Sequence, residues 1–143
     1  MGGKTMTLVQ ERQPLTTLRG RRLAVLLGHA FVGWALCGLT MAVGMAVAST
    51  ETALLAHAIA APIIFTVVSW NYFKRIGYTT PLQTAITFVS FVILMDFFLV
   101  ALVIERSLEM FASPLGTWIP FFLIFSSTYL TGRAMERRRG PVT

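Results

Sequence analysis

With 143 residues, 55% of them apolar and 13% charged, and a formal charge of +6, the chain has room for one compact bundle and none for a separate soluble domain. Its basic excess does not point to nucleic acid, because the Lys and Arg residues crowd the ends of long apolar runs, where membrane orientation and anionic headgroups account for them. The one cysteine, Cys37, sits inside an apolar run, so there is no disulfide pair, no CxxC and no cluster at metal-ligand spacing; neither a metal nor a cofactor is expected.

Residues 1–20 are polar and basic, hold Pro14 and Gly2, Gly3 and Gly20, and show no sustained apolar period, which predicts a cytoplasmic N-terminal tail. A four-helix membrane domain is expected over residues 21–133. Its first span, about 23–48, ends in Ala46-Val47-Ala48 before Ser49, similar to a secretory cleavage site. Signal h-regions run about 7–15 residues, however, and this apolar run is long enough to cross a bilayer of roughly 30 Å, so it is expected to stay as an uncleaved helix. Gly38, Ala42 and Ala46 fall four apart and form a smooth face, suited to packing within the bundle or against a second copy.

The second span, about 53–73, carries His57 about 9 Å below its outer boundary and Pro62 near its middle, where a missing N–H frees the Ala58 carbonyl and predicts a kink. Lys74 and Arg75 open an inner loop. In the third span, about 84–104, Asp96 lies about 18 Å from the inner boundary, close to the midplane. A carboxylate there costs at least roughly 2.5–3.5 kcal/mol on insertion scales, so it should face protein, be paired, or take up a proton. Its own helical face offers only Val89, Val92, Leu99, Val100 and Val103, so a partner must come from another helix. His57 shares its depth, and Trp34, Cys37 and Thr40 pass nearby, which predicts a buried, titratable Asp96–His57 pair.

His29 lies about 10 Å above the inner boundary and is expected to join Ser126, Ser127, Thr128 and Tyr129 in a lower hydrogen-bonded layer. The two histidines differ by about 10 Å in depth, which disfavours bis-histidine haem ligation. Glu105 and Glu109, four apart in the outer loop, read as a solvated helical face rather than a cation site. The fourth span, about 116–132, has Pro120 in its first turn, where proline is harmless, and leads into a basic C-terminal tail, 134–143, whose Arg137, Arg138 and Arg139 suit orientation and lipid contact. Trp118 toward the outer side and Tyr72, Tyr78 and Tyr129 toward the inner fit interfacial aromatic belts.

The fold class expected is therefore an all-α integral membrane protein, a four-transmembrane-helix up-down-up-down bundle. Eleven of the twelve basic residues, all but Arg106, fall on one side of it, so both termini should be cytoplasmic. The two halves do not match, which argues against an inverted-repeat transporter within one chain. The intramembrane candidates for proton binding are Asp96, His57 and His29, and no catalytic residue stands out. The function expected is small-solute or ion- and proton-coupled transport by a homo-oligomer in a bacterial-type inner membrane, with the lipid bilayer and further copies of the chain as its partners. The alternative is an accessory or assembly subunit of a larger membrane complex. A membrane enzyme is disfavoured, because Asp96, His57 and Cys37 would be its only chemical groups and no aqueous loop holds a second cluster.

Overall fold

The computed structural model describes residues 15–140, which are all-helical. α1 spans Leu15–Val47, α2 Thr50–Arg75 and α3 Pro81–Met95; α3 continues as a π-helical segment, Asp96–Glu105. A 3₁₀ turn, Glu109–Ala112, and a short π-helical turn, Pro114–Trp118, lead into α4, Ile119–Arg139. Three stretches are long and apolar enough to cross a membrane: Arg19–Val47, Thr50–Arg75 and Pro81–Glu105. α4 is not among them, since its apolar run is shortened at one end by the Pro114–Trp118 turn and at the other by Arg133, Glu136 and Arg137 to Arg139.

Helix boundaries follow local chemistry. At the start of α2 the Ser49 hydroxyl accepts from the Thr52 N–H (3.3 Å), Glu51 lies in the first turn, and Lys74 and Arg75 lie in the last, all in the sense the helix dipole favours. The helix ends where the N–H groups of Ile76 and Gly77 both donate to the Tyr72 carbonyl (2.9 and 3.0 Å), with Gly77 at φ +57°, a conformation glycine adopts at no steric cost. Thr80 and Gln83 then close a reciprocal capping box around Pro81, the first residue of α3. Pro62 lies inside α2, which is one helix on both sides of it; the Pro62 carbonyl accepts from the Thr66 hydroxyl (2.6 Å).

The helices extend beyond the expected tails. Residues 15–20 already belong to α1 and residues 134–139 to α4, while 1–14 and 141–143, the remainder of the two tails, lie outside the described residues. Glu105 and Glu109 do not share a helical face as expected: the π segment stops at Arg106, whose φ is +53°, and Glu109 begins a separate turn.

Contacts between helices run in register. Rising positions on α1 meet falling ones on α2: an added Cβ at Gly33 would touch the Phe65 ring at 2.7 Å, and one at Gly44 would touch Ala53 at 2.9 Å. α2 also packs on α4, α4 on α3, and α3 on α1, the last through the smallest interface of the four. The core between them holds Leu26, Ala30, Phe65, Tyr72, Phe88, Val92 and Ile124. Phe88 sits edge-on to both Phe65 and Tyr72 (5.9 and 6.3 Å between centroids), a favoured aromatic geometry.

The inward face of α1 is Leu26, Ala30, Gly33 and Cys37, so of the two roles expected for Gly38, Ala42 and Ala46, packing within the bundle or against a second copy, the chain itself does not use the first. Those three are exposed, and a Cβ on Gly38 would meet nothing within 4 Å. The small residues of α1 thus form two stripes, and the bundle uses the other one, whose steps of four, three and four keep one side of the helix turned to its neighbours. Gly33→Ala is therefore expected to lower stability by about 1–3 kcal/mol through overpacking against Phe65, while Gly38→Ala stays within about 0.5 kcal/mol of the parent; thermal unfolding of both in one detergent is the check.

Candidate functional site

Asp96 occupies the junction where α-helix gives way to π-helix, half-buried at the narrow α1–α3 interface. Its carboxylate accepts one side-chain hydrogen bond, from the indole Nε1–H of Trp34 to Oδ1 at 2.8 Å. A carboxylate offers about four acceptor sites and an indole only a donor, so the bond satisfies one oxygen, and Trp34 cannot itself take up or release the proton. The sequence places Trp34 among the neighbours of Asp96; the structure makes it the partner.

The change of helix type decides what else surrounds the carboxylate. At 3.6 residues per turn, Leu99 and Val103 should share the face of Asp96. In the wider π turn the phase drifts from that pattern: Ala101 is fully buried, while Leu99 and Val103 are exposed. π-helical insertions recur at functional sites, and this one begins at Asp96, whose carboxyl group lies well inside its apolar stretch, unlike Glu51 and Glu105 at the ends of theirs.

His57 is not ion-paired with Asp96. The only salt bridge among the described residues joins Arg133 to Glu136 at 3.8 Å. Instead the His57 imidazole faces the backbone carbonyl of Cys37, and its Nδ1 is buried with no hydrogen-bond partner meeting it. Cys37 is buried within electrostatic reach of Asp96. Two residues one turn apart on α1 thus meet different partners: the Trp34 side chain bonds Asp96, and the Cys37 backbone carbonyl lies beside His57 of α2. Thr40 takes no part, since its hydroxyl donates to Leu36 of its own helix (2.9 Å).

His29 falls in a different layer, and not with the α4 hydroxyls. Its Nδ1–H donates to the Val25 carbonyl (2.8 Å), and its ring stands edge-on to Tyr72 of α2 at 5.4 Å. α1 packs on α2 and α3, which keeps His29 away from Ser126 to Tyr129 of α4. A chain of hydroxyls that the sequence reading missed begins here: Tyr72 to Thr79 at 2.9 Å, Thr79 to Thr84 at 2.7 Å, and Thr84 to the Thr80 carbonyl at 2.9 Å. Thr80 and Gln83, spaced as a capping box, were the signal that α3 starts at Pro81 and turns Thr84 inward.

Along the bundle the polar groups thus form three levels: Tyr72, Thr79 and Thr84 with His29; Trp34 with Asp96; and His57 beside Cys37. No group of three or more His, Cys, Asp or Glu side chains among the described residues is arranged to hold a metal ion. No family model, curated protein or solved structure matches the chain.

Removing the indole donor should cost more than neutralising the acceptor. Trp34→Phe is expected to lower stability by about 0.6–1.7 kcal/mol, the range measured for hydrogen bonds between membrane helices. Asp96→Asn keeps a carbonyl oxygen for Trp34 and should unfold at or above the parent temperature. A larger loss in Asp96→Asn than in Trp34→Phe would show that the carboxylate has another partner.

Proposed function

We propose that this chain is a small polytopic protein of a bacterial-type inner membrane, crossing it four times in up-down-up-down order with both termini cytoplasmic. Two features support this. Contacts run 33 to 65 and 44 to 53 between α1 and α2, and 54 to 116 and 73 to 132 between α2 and the Pro114–Trp118 turn with the α4 it leads into, as alternating helices require. Arg22, Lys74, Arg75, Arg133 and Arg137 to Arg139 then collect at one end, which the positive-inside rule assigns to the cytoplasm. Residues 116–132 would make the fourth crossing near the short limit of about 17 residues, with the preceding turn and the basic last turns extending into the interfaces.

We further propose that the protein works as a homo-oligomer in proton-coupled movement of a small solute or ion, with Asp96 as the titrating group. The observation carrying this is the single bond on Asp96. Oδ1 receives the Trp34 N–H in either protonation state, while Oδ2 is free to take up a proton and release it without breaking that contact. Trp34 is then a positioning residue. His57, with an unpartnered Nδ1, and His29, beside the Tyr72–Thr79–Thr84 hydroxyls, stand on either side of Asp96 as stations for the proton.

In vesicles containing a pH-sensitive dye, the wild type should dissipate a proton gradient, Asp96→Asn should fall to the rate of empty vesicles, and Trp34→Phe should retain a reduced rate. Unchanged flux in Asp96→Asn would remove the mechanism. Sidedness is tested separately with single cysteines in a Cys37→Ala background. An impermeant maleimide added to intact cells should label Ser49→Cys and Ser107→Cys but leave Tyr78→Cys unlabelled until the cells are opened; the reverse pattern would invert the orientation.

The exposure of Gly38, Ala42 and Ala46 favours a second reading, an accessory or assembly subunit whose partner covers that stripe. The mass of the particle released by mild detergent separates the two, since multiples of this chain alone support the homo-oligomer and a foreign polypeptide supports the subunit.

A further inference from the structure

At the basic end of the bundle the last turns of α2 and α4 part around a groove of about 280 Å³, with Thr66 and Trp70 on one wall and Thr131, Ala134, Met135 and Arg138 on the other. Its walls are tied at the head, where the Arg139 guanidinium donates to the Phe73 carbonyl. They are also fixed lower down, where Gly132 lies so close to Phe73 and Pro81 that a Cβ would meet either within 2.8 Å. A neighbouring hollow of about 460 Å³, beside Arg133 and Arg137, is lined by α4 alone and has no wall from a second helix.

The groove is amphipathic along its length. At its head stands Arg138, outside the one salt bridge of the described residues, and Lys74 holds its ammonium 5.9 Å over the Trp70 ring. Its floor is apolar despite two threonines, because each hydroxyl turns back to its own helix: Thr66 donates to the Pro62 carbonyl (2.6 Å) and Thr131 to the Ser127 carbonyl (2.7 Å), so both offer their methyl groups. Away from the cations the same side of α2 continues through Ile63 and Ile59, which are 60% and 59% exposed. Cations at one end, an indole at the rim and a dry slot running toward the bundle centre are complementary to one kind of molecule, an amphiphile with an anionic head and a hydrocarbon tail.

We propose that this groove seats one anionic phospholipid of the cytoplasmic leaflet, its phosphate between Arg138 and Lys74 and an acyl chain over Thr66 and Thr131. The placement in that leaflet rests on the orientation proposed above; the binding chemistry does not.

The test uses the full chain in mild detergent, titrated with phosphatidylglycerol or with phosphatidylcholine of identical chains, with bound lipid counted by native mass spectrometry. One phosphatidylglycerol per chain should be retained in preference to phosphatidylcholine, by about fivefold for each cation that contacts the head. Lys74→Gln with Arg138→Gln should erase the preference, while Arg75→Gln, which removes a charge at the same end but outside the groove, should keep it. Ala134→Phe, filling the slot from an exposed position, should reduce retention of both lipids with an unchanged melting temperature. Inorganic phosphate in large excess should leave phosphatidylglycerol bound; displacement by phosphate alone would make this a free-phosphate site and overturn the proposal. Equal retention of the two lipids, or an equal loss in Arg75→Gln, would also overturn it. Neither flux nor sidedness enters this measurement, so failure here leaves the Asp96 mechanism standing, and an inverted cysteine pattern would move the lipid to the other leaflet without emptying the groove.

Discussion

The Trp34–Asp96 hydrogen bond crosses the interface where this bundle has least else to hold it. α1 rests broadly on α2, α2 on α4 and α4 on α3, but α1 meets α3 only narrowly. A carboxyl group in an apolar helix must find a donor or take up a proton, and the nearest donor on offer is an indole on the facing helix. The need of Asp96 for a partner and the need of α1 and α3 for a tie are met by one contact. That economy has a consequence, because whatever alters the charge on Asp96 acts directly on the weakest side of the bundle.

The polar residues at stake were legible before any coordinates, and their partners were not. Depth along a helix follows from counting residues at 1.5 Å each, which correctly singles out Trp34 and Cys37 as neighbours of Asp96. Which way a side chain points depends on helical phase, and phase fails wherever the turn widens. The π segment beginning at Asp96 buries Ala101 and turns Leu99 and Val103 outward, a rotation that no pattern of aliphatic residues in 99–104 could announce. Glu105 and Glu109 part for a different reason, the end of the helix at Arg106. His57 shows the complementary limit: counting residues puts it near the depth of Asp96, but depth does not fix a rotation about the helix axis, and the ring lies beside the Cys37 backbone, a level away from the carboxylate.

α1 carries the same ambiguity in its glycines. It holds two candidate seams, and sequence spacing alone favours Gly38, Ala42 and Ala46 because they repeat strictly every four residues. The bundle uses Gly33 and Gly44, where Phe65 and Ala53 need the room. A large aromatic opposite a glycine is a stronger requirement than a smooth surface, since the ring has nowhere else to go in a filled core. The unused stripe is left on the outside, available for a second copy or a partner.

Order is unevenly distributed from end to end. At the basic end the capping box at Thr80, the Tyr72–Thr79–Thr84 chain, the Arg139 contact to Phe73, the Arg22 guanidinium 5.0 Å from the Tyr78 ring centroid and the packing of Gly132 on Phe73 and Pro81 interlock four helices. At the level of Asp96, α1 and α3 share one hydrogen bond and little packing. Conformational freedom concentrates where contacts are few, so a displacement that changes the surroundings of Asp96 costs least at the α1–α3 seam, with the basic end acting as the fixed point. In the proposed mechanism the Asp96 carboxyl group exchanges a proton with two sides of a membrane, which needs its access to change while its helix stays anchored; this distribution of contacts is compatible with both conditions.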